Sequence, residues 1–215
     1  MKRFSTFIAF LSLFILQSCV PDKKEDKHIK ATVKFKSAII VDSHYTFNEA
    51  IAGINVPKEI LNQLQLINVR YYSLDGKIHQ GQILTNKMIA QDLIQLFEFI
   101  LYNHFPIAHA IPIVKYHQND DLSMQANNTY SFCYRNTSYS KHATGMAIDI
   151  NPFFNPVRWK AGYENRIDKP IGAVNNPKIA GTFYVLHPVV LKFKEFGFRW
   201  GHNFTRNFDD HHFEK

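Results

Sequence analysis

Two short segments, 140–149 and 209–214, constrain the fold more than any other part of this 215-residue chain. The first reads SKHATGMAID and the second DDHHFE, so together they supply imidazoles and carboxylates. His142, Asp149 and His212 match the three protein ligands of a catalytic zinc site, which leaves a fourth position for water. The sequence therefore predicts a fold that brings a local pair of ligands and a distant third one to a single point.

The second segment also offers a base and an ambiguity. Asp209, three residues before His212, is a candidate to take the proton of the water and pass it to the leaving amine. Neighbouring residues of a strand face opposite sides, so strict alternation lets only one of His211 and His212 face the metal and pairs Asp210 with His212. A local bulge or bend would instead let Asp209 and His212 share the site.

These motifs resemble those of the zinc D-alanyl-D-alanine carboxypeptidases and L-alanyl-D-glutamate endopeptidases, which are related to vancomycin-resistance D,D-peptidases and some phage endolysins. The pattern Ser-x-His-x-x-Gly-x-Ala-x-Asp is met at each fixed position of 140–149, and Asp209 and His212 fit an acid followed after two residues by His. The segment GFRWG at 197–201 lies between them. The resemblance extends from about Leu66 to the C-terminus.

The resemblance implies Zn²⁺, metal-activated water and a peptidoglycan stem peptide as substrate, in a hedgehog/D,D-peptidase-like fold. It implies that Arg135 holds the substrate carbonyl or carboxylate, although a surface salt bridge is the simpler role for an arginine. It also implies that Ser140 supports the site through its hydroxyl, although a turn serine would look the same. Whether the enzyme is a carboxypeptidase or an endopeptidase stays open.

The remaining pattern predicts an α+β fold: a single domain with an antiparallel sheet flanked by helices. Asp75-Gly76 predicts a hairpin between Leu66 and Leu84, and Asn86 predicts the cap of a helix that ends before Pro106. Other predicted elements are a first strand around 33–41, a short helix over 57–64, a strand over 111–116, a loop over 118–129, a largely irregular 152–181, a helix after Pro188 and a final strand over 208–215.

The N-terminus predicts export. Lys2 and Arg3 precede an apolar run that ends in LQSC, so residues 1–18 are interpreted as a lipoprotein signal peptide and Cys19 as the lipidated residue. An ordinary signal peptide with a chance cysteine is the alternative. Residues 19–32 are polar and charged and predict a lipidated tether, and 33–215 would form the metallopeptidase domain. The protein would then lie in the cell envelope, outside the cytoplasm, in the periplasm or at the cell surface.

Charge and composition exclude some partners. The formal net charge is +7, and without Lys2 and Arg3 of the leader it is +5, which favours anionic wall polymers or lipid head groups. Basic residues are interspersed with acidic ones, so we expect no nucleic-acid partner, and we expect a monomer. The functional alternative is a catalytically silent lipoprotein that keeps the zinc but only binds wall peptides or a protein.

Overall fold

A computed structural model describes residues 38–137, 139–163 and 165–215. The predicted signal peptide, Cys19, the tether and the start of the first strand at Val33 lie outside these described residues. The domain boundaries therefore remain predictions. Among the described helices, none is both long and apolar enough to cross a bilayer.

The described residues contain five α-helices and ten β-strands. In chain order they are β1 Ile40–Val41, α1 Phe47–Ala50, α2 Lys58–Leu61, β2 Leu64–Tyr72, β3 Ile78–Asn86, α3 Lys87–Tyr102, β4 His109–Ala110, α4 Asp120–Gln125, β5 Asn128–Thr129, β6 Ala147–Asp149, β7 Val157–Trp159, α5 Pro188–Glu195, β8 Arg199–Trp200, β9 Asn207–Asp209 and β10 His212–Glu214. This mixture confirms the α+β class.

The predicted hairpin and long helix form the first layer. Strands β2 and β3 pair antiparallel around Gly76, whose φ of +74° a side chain would disfavour. Asn86 then caps α3, since its side chain accepts a hydrogen bond from the Met88 amide at 3.0 Å. The helix buries one apolar face against the hairpin, and α5 packs against it from the C-terminal half of the chain.

The second layer carries the C-terminal motifs. Strand β10 lies between β6 and β8 in an antiparallel three-stranded sheet, and β7 pairs with β9 in a separate two-stranded sheet. Phe213 at the centre of β10 is fully buried against the rings of Phe183 and Phe193. Because this ring is locked in the main core, its neighbour His212 has a fixed position.

Several local predictions need correction. The strand predicted over 111–116 is wrong, because Pro112 leads instead into a 3₁₀ helix, Ile113–Tyr116, whose Ile113 packs in a small separate cluster. The loop predicted over 118–129 contains α4 and β5, and Asn119 caps α4 by accepting from the Leu122 amide. The final strand over 208–215 is interrupted by a two-residue turn between β9 and β10. The sheets are not purely antiparallel, since β1–β3 and β4–β5 are parallel pairs.

Candidate metal centre and active site

Three local elements bring the predicted ligands together. His142 lies in a 3₁₀ helix, Lys141–Thr144, and Asp149 ends β6. Gly145 separates them with a φ of +69°, the left-handed conformation that glycine adopts without strain. The antiparallel register of β6 and β10 then places His212 directly opposite Asp149.

The three donor atoms form a nearly equilateral triangle. His142 Nε2 lies 3.1 Å from Asp149 Oδ1 and 3.0 Å from His212 Nδ1, and His212 Nδ1 lies 3.0 Å from the same carboxylate oxygen. A tetrahedral zinc ion with bonds of about 2.0–2.1 Å holds its ligands roughly 3.3–3.4 Å apart. The triangle therefore fits such an ion after shifts of a few tenths of an ångström.

The outer ring nitrogens fix the tautomers. His142 Nδ1 donates to the carbonyl oxygen of Ser131 at 2.6 Å, and His212 Nε2 donates to Glu214 Oε2 at 3.0 Å. In its neutral form each imidazole therefore turns a lone pair toward Asp149 Oδ1, so that three electron-pair donors would face a bound cation. Hydrogen bonds to the outer ring nitrogen orient histidine ligands in metal sites. The residues present thus fit a zinc ion.

The electrostatics of the site favour a cation. Burial lowers the pKa of His212, but hydrogen bonds to Asp149 and Glu214 outweigh it and raise that pKa to about 10, so without a metal the ring holds a proton on Nδ1 that a bound cation would displace. Burial likewise raises the pKa of Asp149, but the imidazoles of His142 and His211 hold it well below the usual value. The hydrogen bond from His212 lowers the pKa of Glu214 to about 2. The carboxylates stay ionised and attract positive charge to the centre of the triangle.

The turn at Asp210 and His211 resolves the ambiguity of the second motif. Because the turn breaks the strand alternation, both histidines face Asp149: His211 Nε2 lies 3.6 Å from Asp149 Oδ2, and 3.0 Å from Asp209 Oδ1 without the alignment of a hydrogen bond. His211 Nδ1 donates to the carbonyl oxygen of Asn155 at 2.7 Å. Asp210 points away from the triangle, toward Arg158 and His202.

Asp209 lies at the edge of the cleft beside the three ligands. Its side chain is 17% exposed, so it is largely enclosed yet reaches the cleft in front of the ligands. Burial raises its pKa, while His211 and His212 oppose the increase. Gly201 makes this packing possible, because a Cβ there would lie 2.7 Å from the Asp209 carbonyl oxygen and 3.1 Å from the His212 Cβ.

A cleft of about 1340 Å³ opens over the centre and is lined by the predicted site residues. Arg135 lies in its wall, where its guanidinium donates a hydrogen bond to Asp120. The Tyr130 hydroxyl donates a hydrogen bond to the other oxygen of that carboxylate. Ser140 also lines the cleft, but its side chain makes no capping bond to the following 3₁₀ helix. The roles assigned to both residues therefore remain predictions.

Sequence reasoning missed several supporting residues. Ser131 contributes only its backbone carbonyl, which has no side-chain signature. Asp120 falls in the loop predicted over 118–129, and the one sequence signal for the helix that presents it is the Asn119 cap before two acidic residues. Arg158 lies in a segment interpreted as largely irregular, and nothing in its spacing marks it as a partner of Asp210.

Together, the fold and the site define an α+β domain with a buried His-Asp-His triangle that could hold a metal ion and an adjacent acid at the edge of an open cleft. Residues 134–215 match the family model of D-alanyl-D-alanine carboxypeptidase. This segment contains Arg135, the triangle and Asp209, so the family resemblance is confirmed over this part of the chain. No curated protein and no solved structure matches the chain.

Proposed function

We propose that this chain is a zinc-dependent peptidase that hydrolyses the stem peptides of peptidoglycan. The observation that carries the proposal is the triangle of His142, Asp149 and His212, with both imidazole tautomers fixed toward its centre. The family match supports peptide hydrolysis. Zinc is favoured because two imidazoles and one carboxylate with an open side are typical of catalytic zinc.

The metal ligands, Asp209 and Arg135 would have different roles in peptide hydrolysis. A zinc ion held by the triangle would supply Lewis acidity and lower the pKa of a water molecule. Asp209, enclosed and with a raised pKa, would accept the proton of that water and then deliver it to the departing amine. Arg135, held by Asp120 through one guanidinium nitrogen, would direct its remaining donors to the substrate carbonyl, where negative charge develops.

The charges of the cleft support an anionic peptide as substrate. Three of its cations are paired with acids of the same cleft, as Arg135–Asp120, Lys169–Asp121 and Arg199–Glu214. Three others, Lys141, Arg166 and Arg206, line the cleft without a carboxylate partner among the described residues. Counting Asp149 and Asp209 as well, the cleft lining carries six cations and five carboxylates, and a bound zinc ion would add to this positive balance, which favours substrates with free carboxylates, such as stem peptides.

We further propose that the protein is exported and anchored by a lipid on Cys19. The support is the sequence alone: a basic start, a short apolar run and a cysteine at its end. Labelling with a radioactive fatty acid in a bacterial host would test it, with Cys19→Ala as the matched variant. Loss of label and of membrane association in that variant alone is the expected result, whereas equal labelling would contradict the anchor.

The peptidase proposal is tested by digesting purified wall peptides with the full chain in detergent. New amine ends should appear, vanish after chelation and return with zinc. Asp209→Asn should keep its zinc but lose about 10²–10⁴-fold in kcat, whereas His142→Ala should lose both zinc and activity. The fragment masses would separate endopeptidase from carboxypeptidase cleavage. A wild-type protein that binds zinc but cuts no stem peptide would overturn the proposal and favour a binding role.

A further inference from the structure

Asp210 occupies the turn between the proposed base and the third ligand. It is 1% exposed, and its amide donates to the carbonyl oxygen of Pro156. Its carboxylate accepts from Arg158 at 2.7 and 3.1 Å and from His202 Nδ1 at 2.6 Å. Its carbonyl oxygen accepts from the indole of Trp200 at 2.9 Å. The residue is thus held from three separate elements.

Arg158 is the cation of this arrangement and comes from β7. The strand pairs with β9, and Val157 lies opposite Asp209 in the register. The guanidinium lies 4.9 Å from the ring centre of Phe208, which limits its movement. The two sequence neighbours of Arg158, Val157 and Trp159, line the cleft, but Arg158 itself does not. Arg158 therefore acts on the site through its contact with Asp210 and does not contact the substrate.

We propose that Arg158 and Asp210 are positioning residues that set the separation of Asp209 and His212. Hydrogen bonds hold the two backbone carbonyl groups of this turn, and the charged hydrogen bonds from partly exposed Arg158 to the buried Asp210 carboxylate fix its side chain. Small displacements of a base relative to the reacting centre lower the rate strongly. The inference rests on the proposed function for its kinetic consequence, while its consequence for zinc binding is independent of catalysis.

The test compares Arg158→Met with Lys77→Met in the full chain. Both remove a cation that pairs with an aspartate, and Lys77 is exposed in the β2–β3 hairpin, where it pairs with exposed Asp75 and does not line the cleft. Zinc affinity, measured by competition with a coloured chelator, should fall about 10-fold or more in Arg158→Met and stay unchanged in Lys77→Met. At saturating zinc, kcat on wall peptides should fall about 10-fold or more, while KM changes less than about twofold.

Arg158→Lys keeps the positive charge but loses the paired guanidinium donors, so its zinc affinity and kcat should lie between those of Arg158→Met and wild type. Asp210→Asn, which retains the shape of the side chain, should reproduce the loss if Arg158→Met does not fold. Zinc affinity equal to that of Lys77→Met would overturn the positioning role, even if the wild-type protein proves to have no peptidase activity. A change confined to KM would overturn it as well, because it would place Arg158 in contact with substrate.

Discussion

His212 and Glu214 lie on the same face of β10, with His212 Nε2 3.0 Å from Glu214 Oε2. The other oxygen of the Glu214 carboxylate accepts a hydrogen bond from Arg199. Since a carboxylate partner makes an imidazole more basic and fixes its orientation, Glu214→Gln should weaken zinc binding about 10-fold. Competition with a chelator would measure this change, with Glu195→Gln, which removes an exposed carboxylate on α5, as the matched control. Equal zinc affinity in the two variants would show that Glu214 does not support the ligand.

His211 should influence the pH at which the base works. Burial raises the pKa of Asp209, and the nearby His211 lowers it. Removing the imidazole in His211→Gln should raise the pKa of Asp209 further. Because the base must be deprotonated, the acid limb of the kcat/KM profile should move to higher pH, so activity falls more at pH 6 than at pH 8.

The profile would be measured at saturating zinc, because the ligand histidines also lose metal as the pH falls. His44→Gln changes an exposed histidine and serves as the control for the loss of an imidazole. If the acid limb of His211→Gln coincides with that of the control, His211 does not act on Asp209.

The ligands could be predicted from sequence because their spacing is itself the signal. His142 and Asp149 flank a glycine that the local turn requires, and Asp209 stands at a fixed distance from His212. The sheet register and the pairing of Asp210 could not be predicted in this way. Strand alternation predicted an Asp210–His212 pair, but the turn after β9 ends that alternation and directs Asp210 toward Arg158. Contacts across long separations depend on topology, which periodicity does not encode.

His187 predicts a pH dependence of stability away from the site. Its Nδ1 accepts the amide of Val189 at 3.2 Å and caps α5, and its ring lies among Phe105, Phe183 and Tyr184. Burial lowers the pKa of His187 from 6.5 to about 4. The unfolded chain therefore binds this proton more readily, so stability should decrease as the pH falls from about 6.5 toward 4.

Thermal unfolding of wild type and His187→Asn would measure this contribution. Asparagine keeps a capping acceptor but does not titrate. Allowing for the partial exposure of the ring, the wild type should lose about 1–2 kcal/mol more than the variant between pH 7 and pH 4. Parallel pH dependences would mean that His187 is protonated in the folded state without cost.

Gly145, between the first two ligands, should be intolerant of any side chain. Its φ is +69°, and a Cβ there would lie 2.8 Å from the Asn86 amide nitrogen and 3.0 Å from Leu64 Cδ2.

Gly76 is the matched control, because it has a φ of +74° but nothing within 4 Å of an added Cβ. Gly76→Ala should therefore report the backbone cost alone, about 1 kcal/mol. Gly145→Ala adds a clash with rigid backbone and should cost about 2–4 kcal/mol and weaken zinc binding. Urea unfolding of the two variants separates these costs, and equal losses would show that the space around Gly145 is not limiting.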